Sequence, residues 1–117
     1  MVSSKQQGND GEQLAMQHLK RQGLEIVEMN YRFGHGEIDI VAREGETLVF
    51  CEVKTRRNDE FGLPEFAITS RKQQQIRKVA LGYLYEHELK AQDCRFDVVA
   101  IRFDKGVPLI NYLKNAF

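Results

Sequence analysis

Two short segments, GEIDIVAR (36–43) and TLVFCEVKTR (47–56), hold the side chains with the best-matched types and spacing for chemistry. They are Glu37 and Asp39 on the first, and Glu52 and Lys54 on the second. Side chains alternate along a strand, so Glu37, Asp39 and Val41 share one face while Ile38, Ile40 and Ala42 share the other. On the second segment Leu48, Phe50, Glu52 and Lys54 lie together, with Val49, Cys51, Val53 and Thr55 opposite. The stretch Glu44-Gly45-Glu46 is a tight turn with a glycine for positive φ, which makes the pair a hairpin. A two- or four-residue loop places Asp39 on the side of Glu52 and Lys54. The apolar sets Ile38/Ile40 and Val49/Cys51/Val53 then share the core, and that burial selects the register. With a four-residue loop Asp39 faces Glu52 and Glu37 faces Lys54.

Two carboxylates opposed across a strand pair repel unless a cation lies between them. Oxygen ligands at that spacing suit a hard divalent ion, Mg²⁺ or Mn²⁺. Lys54, pointing the same way, is placed to neutralise charge developing on a phosphate. An ion, its carboxylates and a nearby cation are the parts needed for hydrolysis of a phosphodiester. The same alternation also describes a solvated hairpin face whose ion pairs contribute little, and spacing alone favours that reading. Phe50 and Val41 on the acidic face, and an inward-leaning Glu12, bring the two readings level.

The elements that must position these residues follow from periodicity. Met1–Asn9 is polar and without apolar spacing, and reads as a flexible N-terminal segment. A helix is expected from Asp10, capped by the Asp10/Gln13 pair and stopped at Gly23, with Leu14, Ala15 and Leu19 buried. Glu12 lies three and seven residues before Ala15 and Leu19 and projects from their face. Strands are expected over 24–32, 36–43 and 47–56, then a loop from Arg57 to about Thr69. Ser70 and Gln73 signal a second helix to about Lys90, with Ile76, Val79, Ala80, Tyr83 and Leu84 as its core stripe. RFDVVAIRF (95–103) is a strong strand and 109–113 a further candidate. The near-continuous apolar runs around Val53 and Val98 belong to strands covered on both faces. The order αβββαβ(β) is therefore an α/β fold, a mixed sheet flanked by helices, forming a single domain over 10–117.

Composition narrows the function. A chain of 117 residues has room for one core. Seventeen basic and seventeen acidic residues exclude binding of nucleic acid by bulk positive charge. Between Glu52 and Lys78, however, seven basic residues face four acidic ones, so a localised basic surface is open. Arg56, Arg57, Arg71 and Lys72 are its candidates for phosphate contact, and a solvated helix face is the equal alternative for those on the helix. Two cysteines make neither a disulfide framework nor a zinc site. His18 and His87 read as structural, and Asp97 as the partner of Arg95. Tyr31, Phe33 and Phe61 read as packing residues ahead of base-stacking ones. No apolar run is long enough to span a bilayer and no secretory signal opens the chain, so the expected location is cytoplasmic, away from membrane.

GEIDIVA followed by VFCEVKTR resembles the Asp…Glu-x-Lys signature of the restriction-endonuclease-like nuclease superfamily. The segments GNDGEQLA, NYR, GEID, FCEVKTR, FGLPEFAITSRKQQQI and RFDVVAI, in that order over most of residues 8–101, resemble the bacterial YraN family. That family in turn is similar to archaeal Holliday-junction resolvases, which carry an acid on the first helix. The resemblance implies a restriction-endonuclease-like fold and a metal-dependent nuclease acting on DNA, on branched or flapped structures. It implies metal ligation by Glu12, Asp39 and Glu52, catalysis by Asp39, Glu52 and Lys54, and Mg²⁺ or Mn²⁺ as cofactor. Glu37 and Gln73 stand as supporting residues, Gln73 by parallel with a glutamine of some superfamily members. Ile38 occupies the place of the superfamily's nominal proline, and His35 a place where the family more often has a basic residue. A homodimer is expected by analogy with the resolvases. The alternative is a non-catalytic nucleic-acid-binding adaptor in DNA processing that keeps the fold without turnover.

Overall fold

The computed structural model describes the backbone of residues 4–57 and 65–117, and the side chains of 10–56 and 65–117. The elements are α1 (Ser4–Arg21), β1 (Glu25–Phe33), β2 (Gly36–Glu44), β3 (Thr47–Arg57), α2 (Ser70–Glu86), β4 (Cys94–Asp104) and β5 (Val107–Leu113). The strands form one sheet in the order β1-β2-β3-β4-β5. Three neighbouring pairs are antiparallel, and β3 and β4 are parallel because the chain crosses between them through α2. This is the expected mixed α/β order, with the last strand present.

One core lies under each helix. Ala15 and Leu19 of α1 pack with Leu24, Ile40, Ala42, Val49, Cys51, Val99 and Ile101 on one face of the sheet. Ile76, Val79, Ala80 and Tyr83 of α2 pack with Tyr31, Ile38, Val41, Leu48 and Phe50 on the other. No helix among the described residues is long and apolar enough to cross a membrane.

Several boundaries differ from those read in the sequence. The first helix begins at Ser4, six residues ahead of Asp10, so Asp10 and Gln13 sit inside it instead of capping it. The Ser-Lys-Gln-Gln run lacks apolar spacing but contains no residue that breaks a helix, and α1 continues through it. The expected flexible segment thus overlaps α1, and its first three residues lie outside the described ones. The loop expected over 57–69 also lies mostly outside them, Phe61 included. At the second helix the cap is Thr69, one residue before the expected Ser70. Thr69 is extended, and its hydroxyl accepts the Lys72 N–H at 3.2 Å. The helix stops at Glu86 because Glu88 takes a left-handed conformation and the Leu89 N–H turns back to the Leu84 carbonyl at 2.9 Å.

The hairpin forms in the expected register, Ile40 opposite Cys51 and Glu44 opposite Thr47, around a two-residue loop with Gly45 at φ +60°. One expected face does not survive. Ile38 belongs to the core under α2, whereas Ile40 and Ala42 belong to the core under α1. The same inversion separates Met29 from Tyr31 on β1. Between them Asn30 adopts φ +54°, and the β1–β2 pairing passes from Met29↔Ile40 to Tyr31↔Ile38 with no Asn30–Asp39 rung. A single left-handed residue rotates both strands, and Asp39 stands at the twist.

Candidate metal centre

The β2–β3 ladder ends at Ile40↔Cys51. In place of the next rung, the Asp39 carboxylate accepts the Val53 N–H at 2.8 Å. The strands therefore fork at Asp39, and acids converge on the fork from both sides. Glu12 arrives on α1, which can lie close to β3 because residue 11 is glycine: a Cβ there would meet the Thr55 hydroxyl at 2.3 Å. One carboxylate oxygen each from Glu12, Glu37 and Asp39 falls within 4.8 Å of the others. Glu52 comes from the other side and shares a hydrogen bond with Asp39. Asp39 thus belongs to two overlapping groups, the acids toward α1 and its pair with Glu52.

The expected opposition of Glu37 and Lys54 does not form, since the strands have parted. Glu37 ion-pairs with Arg32 at 3.2 Å, and the Lys54 ammonium donates to the Ala67 carbonyl at 2.7 Å. Lys72, named above as a phosphate contact, lies at the cluster itself, 3.9 Å from Glu52. The Gln73 amide donates to the Ile68 carbonyl at 2.9 Å and so secures the entry to α2 beside Lys72. Arg71 is exposed and, with Lys72 and Lys78, lines a cleft of about 510 Å³ along α2. Arg56 continues β3 beyond Lys54, and the side chain of Arg57 lies outside the described residues. The residue that sequence reasoning overlooked is Asn30, whose side chain hydrogen-bonds Glu12. An asparagine within a strand pattern is the available signal, because Asn tolerates the left-handed region better than most residues.

The other residues singled out are structural. Tyr31 is buried and bonded to Glu86, and Phe33 packs against Gly82. His18 meets Tyr112 edge-on, and His87 stacks on Tyr83. Cys51 is buried among apolar neighbours. Asp97 pairs with Arg95 as expected.

The electrostatics are those of an acidic cluster short of positive charge. Burial, then the charge of Asp39, pushes the Glu52 carboxyl up to about 8. Asp39 is also raised, chiefly by burial, despite its bond from Val53. Glu12 is raised by burial and by Asp39. Burial, followed by Arg56, lowers Lys54. A carboxyl held above its ordinary value adds stability that is complete below about 4.5 and lost as pH rises to about 8. In EDTA the melting temperature should therefore fall between about pH 5 and pH 8. Over the same window Mn²⁺ affinity should rise, by up to roughly tenfold per pH unit, as the proton competing for Glu52 is lost. Melting curves and titration calorimetry at four pH values check both, and flat profiles would contradict the electrostatic account. The donor set, all carboxylate oxygen, fits a hard divalent cation and does not fit a thiolate- or imidazole-seeking one.

Comparison with known proteins places the chain in a family. The uncharacterised protein family UPF0102 matches residues 11–101, a span that contains Glu12, Asp39, Glu52, Lys54 and Lys72. A UPF0102 protein of Syntrophus aciditrophicus is 44% identical over 117 residues, covering 100% of this chain and 92% of its own. One from Geotalea daltonii is 49% identical over 111 residues, with 94% and 87% coverage. One from Caldicellulosiruptor saccharolyticus is 43% identical over 118 residues, with 99% and 100% coverage.

Proposed function

Given that the chain belongs to the UPF0102 (YraN) family, whose name specifies no activity, we propose from its acidic cluster that it is a divalent-metal-dependent nuclease. The observation that carries this reading is the convergence of Glu12, Glu37 and Asp39 within 4.8 Å, with Glu52 bonded to Asp39. A scaffold gains nothing from carboxylates that raise one another's pKa, whereas a cation site requires them. Asp39, Glu52 and Glu12 would hold Mg²⁺ or Mn²⁺, with Glu37 in support. Such an ion, when bound, supplies a Lewis acid and an acidified water for phosphodiester hydrolysis.

The remaining residues arrange charge around the reacting phosphate. Lys72 sits beside Glu52 and Lys54 two residues along β3, so both can neutralise charge that grows on the phosphate oxygens. Burial and Arg56 lower the Lys54 pKa, and Glu52 acts in the opposite direction. Gln73 acts as a positioning residue through Ile68. Arg71 and Arg56 extend the positive surface on either side, where flanking phosphates would lie. The substrate is nucleic acid, DNA by the resemblance, and a homodimer would give so small a protein a second binding surface.

The test is cleavage of labelled linear duplex, single strand, flap and four-way junction in Mn²⁺, with wild type beside Asp39→Ala and Lys54→Ala. Wild-type cleavage lost in both variants is expected. No cleavage, with a junction held equally by all three proteins, would overturn the nuclease in favour of the adaptor. The adaptor has one observation on its side, the engagement of the Lys54 ammonium by Ala67.

A further inference from the structure

We propose that the outer face of α2 is a track for a single nucleic-acid strand, ending in a base-stacking platform, Tyr85, beside a cavity for one unpaired base. Arg71, Gln74, Lys78, Leu81 and Tyr85 recur at alternating spacings of three and four residues and so form one stripe on the helix. All five are exposed, while Ile76, Val79, Ala80 and Tyr83 hold the opposite side of α2 in the core. The stripe changes character along its length. Its first half is cationic, and the cleft of about 510 Å³ beside it is lined by Arg71, Lys72 and Lys78, with no acid among the described residues. Its second half is apolar. Tyr85 is 81% exposed and Leu81 66%, the two most exposed large apolar side chains among the described residues.

Side chains so exposed contribute little to packing, and the outward face of a surface helix is ordinarily polar. Beside Tyr85 lies a cavity of about 970 Å³. Leu84 and Leu89 wall it and root it in the core under α2, and Glu86, Glu88 and Lys90 complete the lining. Glu86 is bonded to the Tyr31 hydroxyl, which ties that wall to β1. The two carboxylates repel a phosphodiester backbone but admit a neutral base, whose amino groups they can accept.

An anionic strand is the occupant because the cationic half of the track begins at the fork, where Lys72 lies 3.9 Å from Glu52. From Lys72 to Tyr85 the helix advances about 20 Å. That is roughly six nucleotides at the ~3.4 Å spacing of a stacked strand. A backbone drawn along cations, with a base laid on an aromatic ring, is how unpaired strands are held without reading their sequence. The ligand's identity as nucleic acid rests on the nuclease reading, to which the track adds a substrate class, strands with an unpaired segment. A duplex keeps its bases stacked inward and offers none to Tyr85.

The test is fluorescence anisotropy in EDTA, at four salt concentrations, with two labelled 12-nucleotide probes: a thymidine strand and the same sugar-phosphate backbone without bases. Wild type should bind the thymidine strand about tenfold more tightly than the base-free one. Tyr85→Ala should lose that preference and keep the salt slope, whereas Tyr85→Phe should keep both. Lys78→Gln should weaken both probes alike and flatten the slope by about one ion. Equal binding of the two probes by wild type, binding of neither, or a Tyr85→Ala protein that keeps the preference would overturn the platform. So would a dimer in sedimentation that Tyr85→Ala converts to monomer with strand binding unchanged, since the stripe would then seat a second copy. A parallel Mn²⁺ thermal shift separates the two proposals. Failure of the nuclease reading removes the shift from wild type, whereas failure of the platform leaves the shift intact and the probes equal. Melting curves of the three variants confirm that lost binding is not lost folding.

Discussion

An Asp39→Asn protein should melt above the wild type at pH 8 in EDTA, gain nothing from Mn²⁺, and cleave at least on the order of 10²-fold more slowly. The substitution keeps the shape of the side chain and an amide oxygen for the Val53 N–H, so the fork in the strands is preserved. It removes the negative charge that raises both Glu12 and Glu52. Because the Glu52 side chain is only 13% exposed, its repulsion from Asp39 is weakly screened by water. Relief of about 1 kcal/mol would raise the melting temperature by roughly 5 °C in a domain of this size. The same charge is what a cation would bind, so stability without metal and response to metal should move in opposite directions. Wild type should show the reverse, a low baseline and a clear rise with Mn²⁺. An Asp39→Asn protein that melted lower than wild type in EDTA would mean that the carboxylate is a structural acceptor and nothing more.

The second large effect concerns a carboxylate with the opposite history. Asp97 is fully buried and accepts from Arg95 Nε at 2.9 Å, Arg95 Nη2 at 2.9 Å, the Tyr112 hydroxyl and the Asn115 N–H at 2.9 Å. Arg95 in turn holds Glu44 at 2.8 Å. Asp97→Ala removes the acceptor and leaves a guanidinium, a hydroxyl and a backbone N–H facing a void. Breaking a buried pair from one side costs about 3–5 kcal/mol, a large share of the 5–15 kcal/mol that holds a domain together. The melting temperature should drop by at least roughly 10 °C. The C-terminal residues should loosen first, because Asn115 is tied to Asp97, and Phe117 stacks on Phe96 just beyond it. Thermal melts and limited proteolysis, with cut sites read by mass spectrometry, measure both consequences. A loss below 1 kcal/mol would show that the network is incidental to the fold.

The contrast between these acids explains what the sequence disclosed. The hairpin, its glycine turn and its register follow from period-two burial and one tight turn, all local, and they are enough to pair Asp39 with Glu52. Glu12 could be aimed inward from helical spacing alone. Three features needed contacts far apart in the chain. Lys72 reaches Glu52 only because α2 crosses over the sheet between β3 and β4. Ile38 and Ile40 fall in different cores because Asn30, on another strand, turns left-handed beside them. β4 meets β3 through a parallel pairing whose register no local signal encodes. The misplaced helix caps have a smaller cause, since Thr69 and Ser70 are both competent caps and only the backbone geometry chooses.

The left-handed Asn30 has a consequence outside the site. β1 is an outer strand of the sheet, and a long regular outer strand is a template on which another chain can add itself. In β1 the pairing register also shifts between Ile26 and Glu28. With that irregularity and the turn at Asn30, the strand never offers a run of evenly spaced amide and carbonyl groups to a newcomer. The twist that opens the fork for Asp39 thus also guards this border of the sheet against edge-to-edge growth.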